Sequence, residues 1–83
     1  MFEWSDLRYF LAVARTGSTA AAAQDTRASQ TTVARRISAL EEALRLKLIE
    51  RTQTGSRLTE AGEQLRVAAA RVEAEIEAFA GSV

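Results

Sequence analysis

Gln30, Thr31, Ala34, Arg35 and Ser38 share one side of the segment that follows Ser29, while Val33, Ile37, Leu40 and Leu44 recur on the other at intervals of four, three and four. A stripe with that spacing is the buried face of an amphipathic helix. The opposite face carries side chains able to recognise base edges. A glutamine amide matches the donor and acceptor pair of adenine, a guanidinium matches the two acceptors of guanine, and threonine can bond a base or touch the thymine methyl. Ser29 supplies the hydroxyl that accepts a first-turn N–H, which predicts a helix beginning at Gln30. Taken alone, the same pattern also describes an ordinary solvated surface helix.

The elements around this segment set its position. A first helix is expected to start at Ser5 or Asp6, to place Leu7, Phe10, Leu11 and Ala14 in the core, and to stop at Gly17. Ser18 caps a second, alanine-rich helix, Thr19 to Asp25, whose small side chains permit close helix approach. Thr26-Arg27-Ala28 then forms a short turn before Ser29, giving helix, turn, helix. The third helix should end near Arg45 or Leu46. Leu48 to Thr52 and Arg57 to Thr59 read as two strands joined by the turn Gln53-Thr54-Gly55-Ser56. Such a hairpin, carrying Arg51 and Arg57, suits DNA phosphates or the minor groove, or simply closes the core.

The chain of 83 residues has 11 basic and 11 acidic side chains, a formal net charge of zero, but the charge is unevenly spread. Residues 1–26 sum to −1, residues 27–57 to +4 and residues 58–83 to −3. Screening over roughly 8–10 Å separates these regions, so the basic middle can act locally on a polyanion. With neither Cys nor His in the chain, no thiol chemistry, disulfide or common transition-metal site is expected, and no cofactor. The sequence contains no apolar run of about 18–20 residues and no signal-peptide pattern at Met1 to Asp6. A cytoplasmic location, with no membrane partner, is the expectation. Glu41 and Glu42 lack an accompanying nucleophile or phosphate loop, which argues against an enzyme.

Thr59 caps a last helix whose first turn carries Glu60 and Glu63, where the macrodipole favours acids. Leu65, Ala69, Val72, Ile76 and Phe79 then repeat at four, three, four and three residues, a heptad seam that predicts a partner helix. A long helix lying on its own domain is the other reading.

Taken in order, Gly17-Ser18, Ala22-Ala23, Ser29-Gln30, Val33-Ala34-Arg35-Arg36-Ile37, Leu40-Glu41, Leu48-Ile49-Glu50-Arg51 and Leu58-Thr59-Glu60-Ala61-Gly62 resemble the DNA-binding domain of LysR-type transcriptional regulators. The resemblance runs from about Leu7 to the end of the chain. It implies a mainly α fold: a winged helix-turn-helix with a three-helix core and short β-hairpin wing over residues 1–58, a linker and dimerisation helix over 59–80, and a tail at 81–83. It implies double-stranded DNA carrying a pseudo-palindromic site as partner, and a homodimer paired through the linker helix. It also implies base reading by Gln30, Thr31, Ala34 and Arg35, and backbone contacts by Ser18, Thr32, Arg36, Arg51 and Arg57; Arg27 in the turn could add a phosphate contact. The effector domain of such regulators would lie beyond this sequence, so the chain reads as an isolated DNA-binding domain without a small-molecule site, associated with the nucleoid. The competing function is a protein-interaction module that pairs with another regulator through its last helix and reads no DNA.

The sequence departs from the family pattern at Thr31 and Ala34, where a small residue or Pro and a Ser are usual. It departs again at Thr19, Thr26 and Ala28, where bulky apolar residues are common. Less core is therefore expected beneath the second helix.

Overall fold

The computed structural model describes residues 2–82 and contains six elements: α1 (Trp4–Thr16), α2 (Thr19–Thr26), α3 (Gln30–Leu44), β1 (Ile49–Thr52), β2 (Gly55–Leu58) and α4 (Glu60–Ser82). This is the expected mainly helical, winged helix-turn-helix architecture with a long final helix. The start of α1 differs. Its cap is Glu3, whose side chain accepts from the Asp6 N–H while Asp6 Oδ2 accepts from the Glu3 N–H at 3.2 Å. This reciprocal box begins the helix at Trp4 rather than at Ser5 or Asp6. Gly17 ends it at φ 88°.

Ser18 and Ser29 cap α2 and α3 as expected, each accepting a backbone N–H at 3.0 Å, from Ala21 and Thr32 respectively. Both helices end on arginines in the left-handed region, Arg27 at φ 59° and Arg45 at φ 56°. A non-glycine residue there costs about 1–2 kcal/mol.

Glu41 explains how the chain leaves α3. Its Oε2 accepts from the N–H groups of Leu48 and Ile49 at 2.8 and 3.3 Å, tying the root of the wing to the helix. The hairpin is tighter than expected: Thr52 pairs with Gly55, so the turn is Gln53-Thr54, and Gly55 and Ser56 belong to β2. Packing is the reason. The Ser56 N–H donates to Gly17 O at 3.0 Å, and a Cβ on Gly55 would stand 2.7 Å from that same oxygen.

Thr59 caps α4 by accepting the Gly62 N–H at 3.0 Å, and its own N–H donates to Leu48 O at 3.0 Å. Gly62 is buried where α4 crosses that strand root, and a Cβ there would collide with Leu48 O. The helix then runs to Ser82, whose hydroxyl donates to Phe79 O at 2.9 Å. Gly81 and Ser82, expected in a tail, are therefore helical; Val83 lies outside the described residues.

Two hydrophobic clusters hold the head together. Leu7, Phe10, Leu11, Leu40, Leu48 and Ala69 form one; Ala12, Val13, Ala22, Ala23, Val33 and Ile37 form the other. Ile49 packs against both. Among the described residues no helix is long and apolar enough to cross a membrane.

Candidate nucleic-acid interface

With Val33, Ile37 and Leu40 turned inward, α3 leaves Gln30, Thr31, Ala34, Arg35 and Ser38 exposed. The Ser29 cap frames the start of this face. Its hydroxyl accepts from the Thr32 N–H and donates to Thr32 Oγ1 at 2.9 Å, so Thr32 is engaged in the cap. Ser18 is half-buried, with its oxygen likewise occupied in capping α2.

The two wing arginines separate. Alternate residues of a strand point to opposite faces. In the observed register Arg51 stands opposite Ser56, on the face that carries Ile49 and Leu58 inward, whereas Arg57 stands opposite Glu50 on the other face. Arg57 Nε donates to Glu50 Oε2 at 3.1 Å. Arg51 is in no ion pair among the described residues. It lines a recess of about 110 Å³ with Thr19, Ala34, Lys47 and Ser56, so the recess joins the α3 face to the wing. Arg57 instead borders a larger recess of about 430 Å³ together with Arg15, Glu63 and Arg66.

Lys47 was not among the expected site residues. Its ammonium lies 3.8 Å from Glu41 Oε1 and is largely exposed, leaving it on the same recess as Arg51 and Ala34 at the edge of the exposed α3 face. A single lysine between two elements carries no spacing signal; the cluster of basic residues from 27 to 57 was the available hint.

Arg36 is engaged away from the exposed face of α3. At about 100° per residue it lies about 160° around the helix from Ala34, and its Nη1 stands 3.9 Å from Asp6 Oδ1 on α1. Arg27 is exposed at the α2–α3 turn, bordering a recess with Arg8, Arg15, Asp25 and Glu73.

The heptad seam of α4 divides. Leu65, partly buried, and Ala69 pack into the first hydrophobic cluster of their own head. Val72, Ile76 and Phe79 continue the stripe beyond the head and are 42, 59 and 68% exposed. An Arg15–Glu73 ion pair marks the boundary. Nearer the cap, the hydrogen bond from Arg66 Nε to Glu63 Oε1, 2.9 Å, lowers the Glu63 carboxyl below its ordinary range and raises the guanidinium above its own.

A profile described as "Bacterial regulatory helix-turn-helix protein, lysR family" matches residues 4–63, from α1 into the first turn of α4. The chain belongs to the LysR family. It is 48% identical over 60 residues to the HTH-type transcriptional regulator ClcR of Pseudomonas putida, covering 72% of this chain and 20% of that protein. Over 63 residues it is 48% identical to the HTH-type transcriptional regulator YofA of Bacillus subtilis, covering 76% and 22%. The chain thus spans about a fifth of the length of these curated relatives. Among solved structures it superposes on the CbnR DNA-binding domain in a DNA complex with TM-score 0.86 at 38% identity, covering 98% of this chain and 92% of that one. On the BenM DNA-binding domain in its complex with benA site 1 DNA the TM-score is 0.90 at 28% identity, covering 98% and 94%. Both LysR-family matches extend over nearly the whole chain, so the long α4 is part of the shared fold.

Proposed function

We propose that this LysR-family chain binds double-stranded DNA sequence-specifically as a homodimer, with residues 1–58 as the reading head and 59–80 as the linker that joins two copies. The observation that carries the reading is the exposed face of α3, capped at Ser29 and continuous with a recess lined by Arg51 and Lys47. The DNA complexes of the CbnR and BenM domains support it. Gln30 and Arg35 would pair with adenine and guanine edges, Thr31 with a base, and the Ala34 methyl would pack on a thymine methyl. Arg51 and Lys47 would neutralise phosphates on the wing side, and Arg27 on the turn side. Arg57 is on the far face of the hairpin and contributes little. This function puts the protein on the nucleoid, in the cytoplasm.

Dimer formation rests on the overhang. Val72, Ile76 and Phe79 are too apolar and too contiguous to be left in water, and an antiparallel copy of the same stripe would cover them. Two heads joined in this way would read major grooves about 34 Å apart on one side of the duplex.

Selection of bound duplexes from a random pool, with sedimentation of the free protein, tests both parts. The expected result is an enriched two-fold symmetric site and a dimer. Arg35→Ala should cost roughly 1–3 kcal/mol and relax preference at one base pair of each half-site. A dimer that enriches no sequence would instead identify a protein-interaction module.

A further inference from the structure

The side chain of Asp6 is 3% exposed, yet its Oδ1 has no hydrogen-bond partner among the described residues. Its other oxygen is occupied by the Glu3 N–H of the capping box. Among the described residues the cation within 4.0 Å of this carboxylate is Arg36, which reaches it from α3, one residue past the base-reading Arg35. A desolvated carboxylate holds a counter-charge more strongly than a solvated phosphate does, and losing that counter-charge would leave it buried and uncompensated. Arg36 is turned away from the base-reading face, so once released it could meet DNA only at the backbone flanking α3. It lies one turn beyond Thr32 on the flank of the reading helix, and its side chain is 47% exposed.

We propose that Asp6 withholds Arg36 from the phosphate backbone, making Asp6 a positioning residue for DNA recognition. The proposal rests on the DNA-binding reading above. Every phosphate-bound cation adds affinity for all sequences alike. Committing Arg36 to α1 removes one such contact while leaving Arg35 beside it to read bases, which favours specific over non-specific binding.

The test is the salt dependence of binding to a fluorescein-labelled duplex of random sequence, measured by anisotropy for the wild type, Arg36→Ala, Asp6→Asn and the double variant. One phosphate contact changes the slope of log K against log salt by about 0.9. Arg36→Ala should keep the wild-type slope and lower the thermal unfolding midpoint, because Asp6 loses its counter-ion. Asp6→Asn keeps an acceptor for the Glu3 N–H and frees Arg36, so its slope should steepen by about 0.9. The double variant should return to the wild-type slope. An Arg36→Ala slope shallower by about 0.9, or a folded Asp6→Asn protein with an unchanged slope, overturns the proposal alone. Should Asp6→Asn fail to fold, the slope and midpoint of Arg36→Ala together decide. A wild type that binds no duplex overturns the DNA-binding reading itself, and the proposal with it.

Discussion

The two hydrophobic clusters of the head differ in what they are made of and in what they support. The first is built from Phe10 and the leucines at 7, 11, 40 and 48, and it clamps the first turns of α4 through Leu65 and Ala69. The second is mostly small side chains, Ala12, Ala22 and Ala23 with Val13, Val33 and Ile37. α3 spans both: its N-terminal half rests on alanines and its other end on leucines. Small residues let α2 approach α1 and α3 closely, but they remove little apolar area from water. Two recesses of about 110 Å³ flank this thin side, one bordered by Thr19 and the other by Thr26. Thr19 and Thr26, two of the three positions where the resemblance implies bulk, thus have space beside them, while Ala28 packs against the second cluster. The firm cluster holds α4, and the thin one carries the exposed N-terminal half of α3.

Paired truncations on α3 provide the sharpest comparison. Leu40 and Val33 are both fully buried, one in each cluster. Leu40→Ala should cost about 4 kcal/mol, within the range for buried leucines. Val33→Ala should cost about 2 kcal/mol, the transfer of two methyl groups plus a small cavity. Urea unfolding of the two variants measures the difference. Equal losses would show that the clusters are one core.

Between these in size stands Gly62→Ala. The added methyl would meet a backbone carbonyl rather than the end of a flexible side chain, so α4 must shift off the Leu48 strand root. A loss of about 3 kcal/mol is expected, the upper end for overpacking, although alanine is the better helix former. Thermal unfolding that shows no loss would mean α4 is not clamped by the firm cluster.

What the sequence could reveal follows the chemistry of each residue. Ser18, Ser29 and Thr59 announce helix starts because a short hydroxyl has a specific use there, and the 3.6-residue stripe of α3 identifies its buried face. Glu3 does not announce a start, since glutamate is not a favoured cap and works here only with Asp6 in a reciprocal box. Glu41 carries no mark of its role, since its bonds to backbone groups seven and eight residues on leave no pattern in the sequence. Arg51 and Arg57 are alike as letters, and only the hairpin register sends them to opposite faces. The α4 seam was visible as a stripe, but periodicity does not say what covers it. The head covers Leu65 and Ala69 and leaves the rest exposed.

The smallest expected effect has the opposite sign and bears directly on the thin side. Thr26 is half-buried at the end of α2, and its hydroxyl donates to Ala22 O at 2.7 Å, a bond local to its own helix. The recess beside it is shared with Ser5, Arg8 and Tyr9. Thr26→Leu gives up that bond without leaving a buried hydroxyl unpaired. It raises helix propensity and adds apolar contact where the second cluster is poorest. A gain of about 1 kcal/mol is expected, or roughly 4–8 °C in Tm for a domain of this size, with DNA affinity unchanged because Thr26 borders a recess with α1 rather than the exposed face of α3. A fall in Tm would mean that the side chain at position 26 cannot reach the recess, and that close helix approach, rather than missing bulk, sets the stability of α2.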